Sequence, residues 1–294
     1  MPELPDIAVY LDCLAPRILD RPLERLAFGN PFVLRSVAPS PAEVAGARVT
    51  GLRRLGKRIV LALEGERFIV IHLMIAGRLR WRGPDEKPPG KAALARCEFP
   101  TGSLVLTEAG TARRASVHLV DGETALRSFE RGGLEVLGAS VEAFAARLVS
   151  ESHTLKRALT DPRLFSGIGN AYSDEILHRA RLSPLALTRT LDADEIRRLF
   201  DALRATVLEW TARLRAEVGD GFPDKVTAFR DGMAVHGRYG QPCPVCGTPV
   251  QRIRYAANET NYCARCQTGG RLLADRALSR LLRKDWPRSI DDIE

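Results

Sequence analysis

The chain has 294 residues, of which 44 are Lys or Arg and 36 are Asp or Glu, so its formal net charge at neutral pH is +8. Hydrophobic residues make up 45% of the sequence, which excludes wholesale disorder and allows a real core in each of about two domains. No apolar run is long enough to cross a membrane. The basic balance favours a polyanionic partner, although a surface of solvated charges would give the same count.

The N-terminal segment has the pattern of an amphipathic helix. Pro5 suits the first helical turn, and Asp6 suits its positive end. Apolar residues then recur at helical spacing, at Ile7, Leu11, Leu14 and Ile18. This chemistry does not account for Pro2 and Glu3. The segment lacks the basic start and unbroken apolar stretch of a secretory signal, so we expect a reducing, cytoplasmic location.

Between residues 58 and 120 the sequence is rich in branched apolar residues, in short runs that turn signals separate. The runs are RIVLAL (58–63), RFIVIHLMIAGRLRW (67–81), SLVLTE (103–108) and SVHLV (116–120). Strands at this spacing predict an antiparallel sandwich or barrel. Lys57 stands at the entry of the first run, and GPDEKPPGK (83–91) is typical of an exposed loop.

From about Ser150 the pattern becomes helical. The stretch 153–182 holds two helical patterns interrupted by GIGN, and 192–221 is the clearest helix in the chain. Asp192 and Glu195 form a capping pair for this helix, and Gly219 suits its end. The β-rich and helical parts are therefore expected to be separate domains.

The turn SGIGNAYSDE (166–175) has Gly167 and Gly169 directly before a helical pattern. Glycines there let backbone N–H groups and a helix N-terminus approach a phosphate, and Asn170 adds a side-chain donor. A loop between two helices also needs glycine for steric reasons alone. Both interpretations of the turn stay open from the spacing alone.

A group of four cysteines near the C-terminus is spaced C-x₂-C-x₁₆-C-x₂-C. Its members are Cys243, Cys246, Cys263 and Cys266. Two such knuckles close a tetrahedron of thiolates, which predicts one Zn²⁺. Its role would be structural, because four thiolates leave no coordination position open. The arginines of the hairpin between the knuckles suit nucleic acid or a protein partner. The other two cysteines, Cys13 and Cys97, are expected to be buried thiols.

In combination these features resemble the formamidopyrimidine-DNA glycosylase and endonuclease VIII family of bacterial base-excision enzymes. The family typically opens with PELPE, where this chain has PELPD. GIGNAYSDE is similar to the family's helix–two-turn–helix turn, and VHGRYGQPCPVCGTP (235–249) is similar to the lead-in to its zinc finger. The resemblance covers residues 1 to about 267.

The resemblance implies an α+β fold in which a leading helix and an antiparallel β-sandwich form the N-terminal domain, followed by a helix–two-turn–helix domain and a four-cysteine zinc finger. The expected bounds are 1–125 for the β-sandwich, 126–149 for a linker, 150–234 for the helical domain, 235–267 for the finger and 268–294 for a C-terminal extension. Leucines in that extension predict a docked helix, and the alternative is that its basic residues face DNA.

The resemblance also implies a bifunctional DNA glycosylase and AP lyase. Removal of Met1 would expose the secondary amine of Pro2, whose pKa near ~8 leaves a neutral fraction to attack C1′ of a damaged nucleotide. The attack expels the base and forms an iminium, and elimination then breaks the strand. Glu3 would be the acid that helps open the sugar and shuttles protons, and Lys57 would hold a phosphate or the sugar.

Further residues are implied to contact damaged DNA, whose target base must leave the stack. These residues are Ile75, Arg113, Arg114, Lys156, Gly167, Gly169, Asn170 and Asn258. The protein is expected to act as a monomer, without a membrane, in the bacterial cytoplasm and on the nucleoid when it is bound to DNA.

The chain departs from the family's usual pattern at several of these places. HLMIAG (72–77) replaces HLGMSG and puts Ile75 where a methionine helps fill the void left by the flipped base. TARRAS (111–116) replaces DPRRFG and puts Ala115 where a wedging phenylalanine is expected. The region 219–238 is short for the loop that covers 8-oxoguanine in purine-specific members. Asn258 stands where the family has a zinc-finger arginine that clamps phosphates and is implicated in δ-elimination.

Two other functions stay open from the sequence. A damaged- or structured-DNA-binding protein could keep the scaffold without turnover, and the missing wedge at Ala115 favours it. A zinc-ribbon transcription factor would explain the finger but not the β-rich N-terminal part. Pro2, Glu3 and Lys57 favour the enzyme, because a binding protein needs none of them at those positions.

Overall fold

The structure is a computed structural model that describes residues 1–86, 93–109, 113–223, 226–255, 258–274, 280–282 and 287–293. The chain divides into two compact units. The first unit contains Met1–Arg131 and Trp210–Thr227, and the second contains Gly132–Glu209 and Ala228–Glu294. Among the described helices, none combines the length and the apolar character that a membrane crossing requires.

Helix α1, Leu4–Ile18, opens the first unit as the sequence predicts. Pro5 lies in its first turn, where a missing N–H costs nothing. The predicted stripe is buried at Ile7, Leu14 and Ile18, which pack into the main hydrophobic cluster of this unit together with Tyr10. Burial of this apolar face is what stabilises the helix against the sheets.

Eight strands of the first unit form two antiparallel four-stranded sheets, and the predicted β-sandwich is confirmed. The strands are β1 Arg25–Phe28, β2 Val49–Leu55, β3 Arg58–Leu63, β4 Arg67–His72, β5 Gly77–Arg82, β6 Ala93–Phe99, β7 Gly102–Glu108 and β8 Ser116–Asp121. One sheet has the order β1-β6-β7-β5 and the other has β2-β3-β4-β8. Alternate side chains of both sheets meet in one core, as the period of two requires.

Two details of the first unit differ from the sequence patterns. The predicted run 67–81 is two strands, because residues 73–76 form a turn between β4 and β5 and send them to different sheets. The short helices α2, Pro41–Val44, and α3, Glu123–Arg127, were not anticipated. The part of the predicted loop 83–91 beyond residue 86 lies outside the described residues.

The second unit begins with helices. They are α4 Val141–Val149, α5 Leu155–Thr160, α6 Asn170–Ala180 and α7 Ala193–Val218, the last of which runs into the first unit. Asp192 and Glu195 exchange hydrogen bonds of 2.8 and 3.1 Å, so the predicted capping pair of α7 is confirmed. Helix α4 lies within the segment that the sequence assigned to a linker.

The second unit ends in a two-stranded hairpin and a short tail. Strands β9, Gln251–Tyr255, and β10, Asn258–Tyr262, pair antiparallel, and helix α8, Ala264–Thr268, follows. Leu272 and Leu273 pack with Tyr262 and Ile290. These two leucines dock outside any helix, Leu281 is 77% exposed, and Leu278 lies outside the described residues, so the predicted docked helix is not confirmed.

Candidate functional site

The first residues of the chain are held in the N-terminal unit, not frayed into solvent. Pro2 is buried, and Glu3 is 2% exposed and caps α1. The backbone N–H of Glu3 donates to Oδ2 of the buried Asp6 at 2.8 Å. Asp6 therefore fixes the backbone of Glu3 at the helix start, a role that sequence reasoning did not give it.

The terminal amine lies in an environment that favours its neutral form. Burial lowers the pKa of the Met1 ammonium below its usual 8.0, and the positive charges of Arg78 and Lys57 lower it further. The carboxylates of Glu3 and Asp6 raise the same pKa and so partly oppose the effect. These influences place all four side chains within electrostatic reach of the amine.

Lys57 occupies the turn between β2 and β3, directly before the strand it was expected to open. The pKa of His72, at the end of β4, falls to about 4, chiefly because the ring is buried. The charge of Lys57 also contributes to this lowering. Lys57 is therefore close to both the amino terminus and the outer end of β4. The charges of Glu3 and Lys57 thus both act on the terminal amine that precedes Pro2.

Ile75 lies at the tip of the turn between β4 and β5 and is 60% exposed. The turn closes through a 2.9 Å hydrogen bond from Gly77 N–H to Leu73 O. A Cβ on residue 77 would lie 2.3 Å from that oxygen, so only glycine fits. Arg78 donates to the carbonyls of Ile75 and Gly77 at 3.1 and 2.7 Å and so holds the turn that presents Ile75.

Arg113 and Arg114 are exposed, whereas Ala115 is 3% exposed and belongs to the main core of the first unit. The carboxylate of Glu108 accepts from the backbone N–H groups of Arg114 and Ala115 at distances between 2.9 and 3.1 Å. Residue 115 therefore points into the core, and no side chain is presented as a wedge at this position.

The predicted DNA contacts of the second unit meet around the start of α6. Lys156 Nζ donates to Asn170 O at 2.7 Å and to Asp174 Oδ1 at 2.5 Å. Asn170 opens α6, but its side-chain amide donates to Glu259 O of β10 at 2.9 Å. Gly167 has a φ of +84°, which residues other than glycine rarely adopt. The backbone conformation of the turn therefore requires glycine at this position, as the steric interpretation proposed.

Two adjacent carboxylates on α6 organise this region, and sequence reasoning did not single them out. Asp174 has a fully buried side chain that accepts from Lys156 and, at 2.8 Å, from Nδ1 of His236. Glu175 accepts three backbone N–H groups of residues 234–236 at 2.7–2.9 Å. Burial raises the pKa of Glu175, while these three bonds lower it. Two consecutive acidic residues in a segment predicted to be helical were the sequence feature that could have identified these positions.

The four cysteines of the predicted metal site converge. Their sulfur atoms all lie within 4.8 Å of one another, with Cys243 to Cys266 at 3.9 Å and Cys246 to Cys263 at 3.4 Å. A tetrahedral site with zinc–sulfur bonds of ~2.3 Å places its sulfurs ~3.8 Å apart, so the arrangement fits. Burial is the main reason that the pKa of Cys263 is raised to about 11. The Cys246 and Cys243 thiols also raise it, while hydrogen bonds with Cys266 lower it. A bound cation would hold Cys263 as a thiolate.

Helix α6 also reaches this cysteine cluster. Nε2 of the buried His178 lies 3.3 Å from the Cys243 sulfur. An imidazole N–H pointing at a thiolate is a charge-assisted hydrogen bond that orients the ligand. The side chains of Asn170, Asp174 and His178 thus connect the helix start, Lys156 and the metal cluster within one unit.

The hairpin between the knuckles carries paired charges. Glu259 lies 3.5 Å from Arg252 and 3.1 Å from Arg254, and Arg252 stacks over Tyr239 with 4.0 Å between guanidinium carbon and ring centroid. Asn258 is the first residue of β10, and its side chain lies outside the described part of the structure.

Three family models match the chain in order. They are the formamidopyrimidine-DNA glycosylase N-terminal domain over residues 1–115, the formamidopyrimidine-DNA glycosylase H2TH domain over 136–216, and the zinc finger found in FPG and IleRS over 240–269. A curated formamidopyrimidine-DNA glycosylase from Heliobacterium modesticaldum is 36% identical over 282 residues, covering 91% of this chain and 100% of the relative.

Solved structures agree with the sequence relatives. The MutM (Fpg) protein from Thermus thermophilus is 31% identical with a TM-score of 0.74, and the match covers 90% of this chain and 98% of that one. The Lactococcus lactis Fpg in complex with DNA containing an abasic site shares the fold, with a TM-score of 0.78 at 23% identity over 90% of this chain and 99% of that one.

Proposed function

Because this chain belongs to the formamidopyrimidine-DNA glycosylase family, we propose that it is a bifunctional DNA glycosylase and AP lyase of base excision repair. The observation that carries the proposal is the amino-terminal site, where a buried carboxylate and an amine of lowered pKa share one environment with Lys57. Damaged DNA is the proposed substrate and partner, and a bacterial cytoplasmic monomer is the proposed working form.

The proposed nucleophile is the amine of Pro2 after removal of Met1. Released from its peptide bond, this amine would keep the burial and the cationic neighbours that lower the pKa at Met1, so more of it would be neutral at pH 7. It attacks C1′, the damaged base leaves, and the resulting iminium acidifies the C2′ proton. Loss of that proton and of the 3′ phosphate breaks the strand by β-elimination.

Glu3 is the proposed acid–base group and Lys57 the proposed contact to phosphate or sugar. Glu3 is buried beside the nucleophile, and Asp6 holds its backbone in place. A carboxyl group fixed in this way protonates the sugar ring oxygen or removes a proton without first having to be oriented. Lys57 contributes a positive charge next to the amine and stabilises the strand's negative charge.

The second unit is proposed to hold the DNA backbone. Lys156 is only 12% exposed at its side chain, and its contacts to Asn170 O and Asp174 position its ammonium at the start of α6. The four cysteines would hold one Zn²⁺, which supplies a structural cross-link when bound. Because one cysteine pair precedes the β9–β10 hairpin and the other follows it, this cross-link would fix both ends of the hairpin.

A DNA-binding protein without turnover is the second candidate, and the burial of Ala115 favours it. An apolar wedge offsets the unstacking cost of a few kcal/mol, and this chain presents none at that position. Trapping of a covalent intermediate separates the two candidates, because only the enzyme forms a bond between its amine and the DNA.

The test is borohydride trapping on an abasic oligonucleotide. Wild type should be trapped, and Pro2→Gly should be trapped at least about 100-fold more slowly, in line with the loss of a positioned catalytic group. Pro5→Ala is the matched control, because the Pro5 nitrogen is within the helix and takes no part in the reaction. Mass spectrometry should show wild-type protein without Met1, and equal trapping by a form that retains Met1 would exclude Pro2 as the nucleophile.

A further inference from the structure

The outer face of the β2-β3-β4-β8 sheet changes along its strands from apolar side chains to arginine and histidine. Val60, Phe68 and Val70 form a small apolar cluster on this face, with Phe129 packed against it. Side chains two positions apart on a strand share a face, which puts Arg58 next to Val60 and His72 next to Val70. Arg58 and His72 are also register partners.

The neighbouring strand extends this arginine- and histidine-containing end. In β8, His118 is the register partner of Val70 and shares its face with Val120 of the same apolar cluster. Arg35 joins the edge of β8 through a 2.9 Å hydrogen bond from its backbone N–H to Val117 O. Four adjacent chain segments thus bring basic side chains to one end of the face.

Phe129 holds two of these side chains in place. The guanidinium carbon of Arg58 lies 5.8 Å from the Phe129 ring centroid, and its Nη1 donates to Phe129 O at 3.2 Å. The His118 ring meets the same phenylalanine edge-on, with centroids 4.9 Å apart. Both side chains are therefore preorganised, so a ligand would not have to order them.

Among the described residues, no carboxylate pairs with the arginines of this cluster. In the described ranges, Arg35, Arg58 and Arg131 take part in no ion pair, whereas Arg53 in the same sheet contacts Glu123 at 2.7 Å. Burial lowers the pKa of Arg58, and the nearby charge of Arg131 lowers it further. Like charges held together in this way raise the free energy of the ligand-free protein, and an anion would relieve the cost.

We propose that Arg58, His118, Arg131 and Arg35 form a site for a phosphodiester phosphate of DNA, additional to the contact proposed for Lys57. The fork of a guanidinium and an imidazole N–H match phosphate oxygens, and the exposed Arg35 and Arg131 leave the site open to a strand. The inference rests on the proposed DNA function and adds to it the place where the strand continues on the first unit.

The experiment measures the salt dependence of binding to a duplex with an uncleavable abasic analogue. Each phosphate contact by a cation contributes about 0.9 to the slope of log Kd against log salt. Arg58→Gln should therefore lower the slope by about 0.9 and weaken binding. Arg53→Gln is the control, because Arg53 also lies over a phenylalanine, at 5.1 Å, but is paired with Glu123. It should leave the slope unchanged.

Several outcomes separate the possibilities. An unchanged slope in Arg58→Gln would overturn the site, and the exposed Arg131→Gln decides the matter if Arg58→Gln does not fold. Stabilisation of wild type by inorganic phosphate, with no change in the DNA slope of the variants, would identify a free-phosphate site and also overturn the proposal. Failure of wild type to bind any DNA would instead remove the proposed function itself.

Discussion

The chemical role of a single residue in this protein depends more on its burial and contacts than on its position in the sequence. Glu3 and Asp6 both stand at the start of α1, where any carboxylate favours the helix dipole. Their contacts distinguish them. The carboxylate of Asp6 accepts a hydrogen bond from the Glu3 N–H and so has a structural role at the helix start. Cys97 shows the same effect for a group without a partner role, since burial raises its pKa to about 12 and keeps it protonated.

His72 should make the protein sensitive to acid. Its pKa is about 4 in the folded chain, chiefly because of burial, against a usual value of 6.5. Well above pH 6.5, His72 is neutral in both the folded and the unfolded chain, so it adds no pH dependence to the free energy of unfolding. Between pH 6.5 and 4 the unfolded chain takes up the proton and the folded chain does not, so the free energy of unfolding falls, by up to about 3 kcal/mol.

In His72→Gln, the free energy of unfolding should fall less steeply between pH 6.5 and 4 than in wild type. Urea unfolding at about pH 7.5 and about pH 5 compares the variant with wild type, and the destabilisation at the lower pH should be smaller in the variant. His153→Gln is the control, because it removes a histidine that hydrogen-bonds Glu151 instead. Equal acid sensitivity of wild type and His72→Gln would contradict the prediction.

Helix α6 is the element that connects the parts of the second unit. Within 11 residues it carries Asn170, which bonds to β10, Asp174 and Glu175, which bond to residues 234–236, and His178, which reaches Cys243. A helix places such side chains at fixed heights and angles, so a shift at one contact is transmitted to the others. We therefore expect loss of the metal cluster to disturb the proposed DNA contacts at Lys156.

The cysteine cluster should bind one Zn²⁺ per chain, and graded variants test it. Cys263→Ser removes a ligand and should abolish zinc content and weaken DNA binding. His178→Phe keeps all four ligands but removes the N–H near Cys243, so zinc should remain bound and be released to a chelator about 10–100-fold faster. Full zinc content with unchanged DNA binding in Cys263→Ser would refute the assignment.

The β9–β10 hairpin should limit strand cleavage to its first elimination. Asn258 carries no charge, and Glu259 already pairs with Arg252 and Arg254. A charge-assisted phosphate contact is worth roughly 1.5–3 kcal/mol against about 1 for a neutral one, so the grip should be on the order of tenfold weaker than with arginine. Abasic DNA should yield mostly 3′-unsaturated-aldehyde ends and few 3′-phosphate ends.

A gel of 5′-labelled product resolves the two ends. Asn258→Arg should increase the share of 3′-phosphate, and Thr260→Arg, which adds the same charge elsewhere on β10, should not. Prompt and complete conversion to 3′-phosphate by wild type would show that Asn258 does not slow δ-elimination.

At the scale of the whole molecule, the segment after α7 belongs to the core of the first unit. Phe222 packs near Tyr10 and Trp81, with ring centroids at 5.7 and 6.5 Å, and Val226 is buried in the main cluster. Arg17 donates to the carbonyls of Asp220 and Gly221 at 2.9 and 3.0 Å. A segment anchored in this way is poorly suited to fold over a flipped base.

Lesion preference should reflect this architecture. Ala115 offers no wedge, Ile75 replaces a longer side chain, and the anchored segment gives no cover, so 8-oxoguanine in duplex DNA should be released more slowly than oxidised pyrimidines or ring-opened bases. Single-turnover rates on matched oligonucleotides measure this order. Fast release of 8-oxoguanine opposite cytosine would count directly against it.

The sequence by itself determined what depends on contacts between near neighbours. The start of α1, the extent of α7 with its capping pair, three of the four strand runs and the cysteine spacing follow from periodicity and turn chemistry that act within a few residues. The order of PELPD, Lys57, GIGNAYSDE and the cysteine pairs was specific enough to indicate the family before any fold was known.

Only the tertiary structure decided which distant side chains meet. Strands β1 and β2 are short or interrupted by Gly51 and arginines, so they become strands through pairing and not through propensity. Lys156 and His236 lie 18 and 62 positions from Asp174, and Arg58 lies 71 from Phe129. Such contacts depend on how the elements pack, and that packing also turned Ala115 inward and anchored Phe222 in the core.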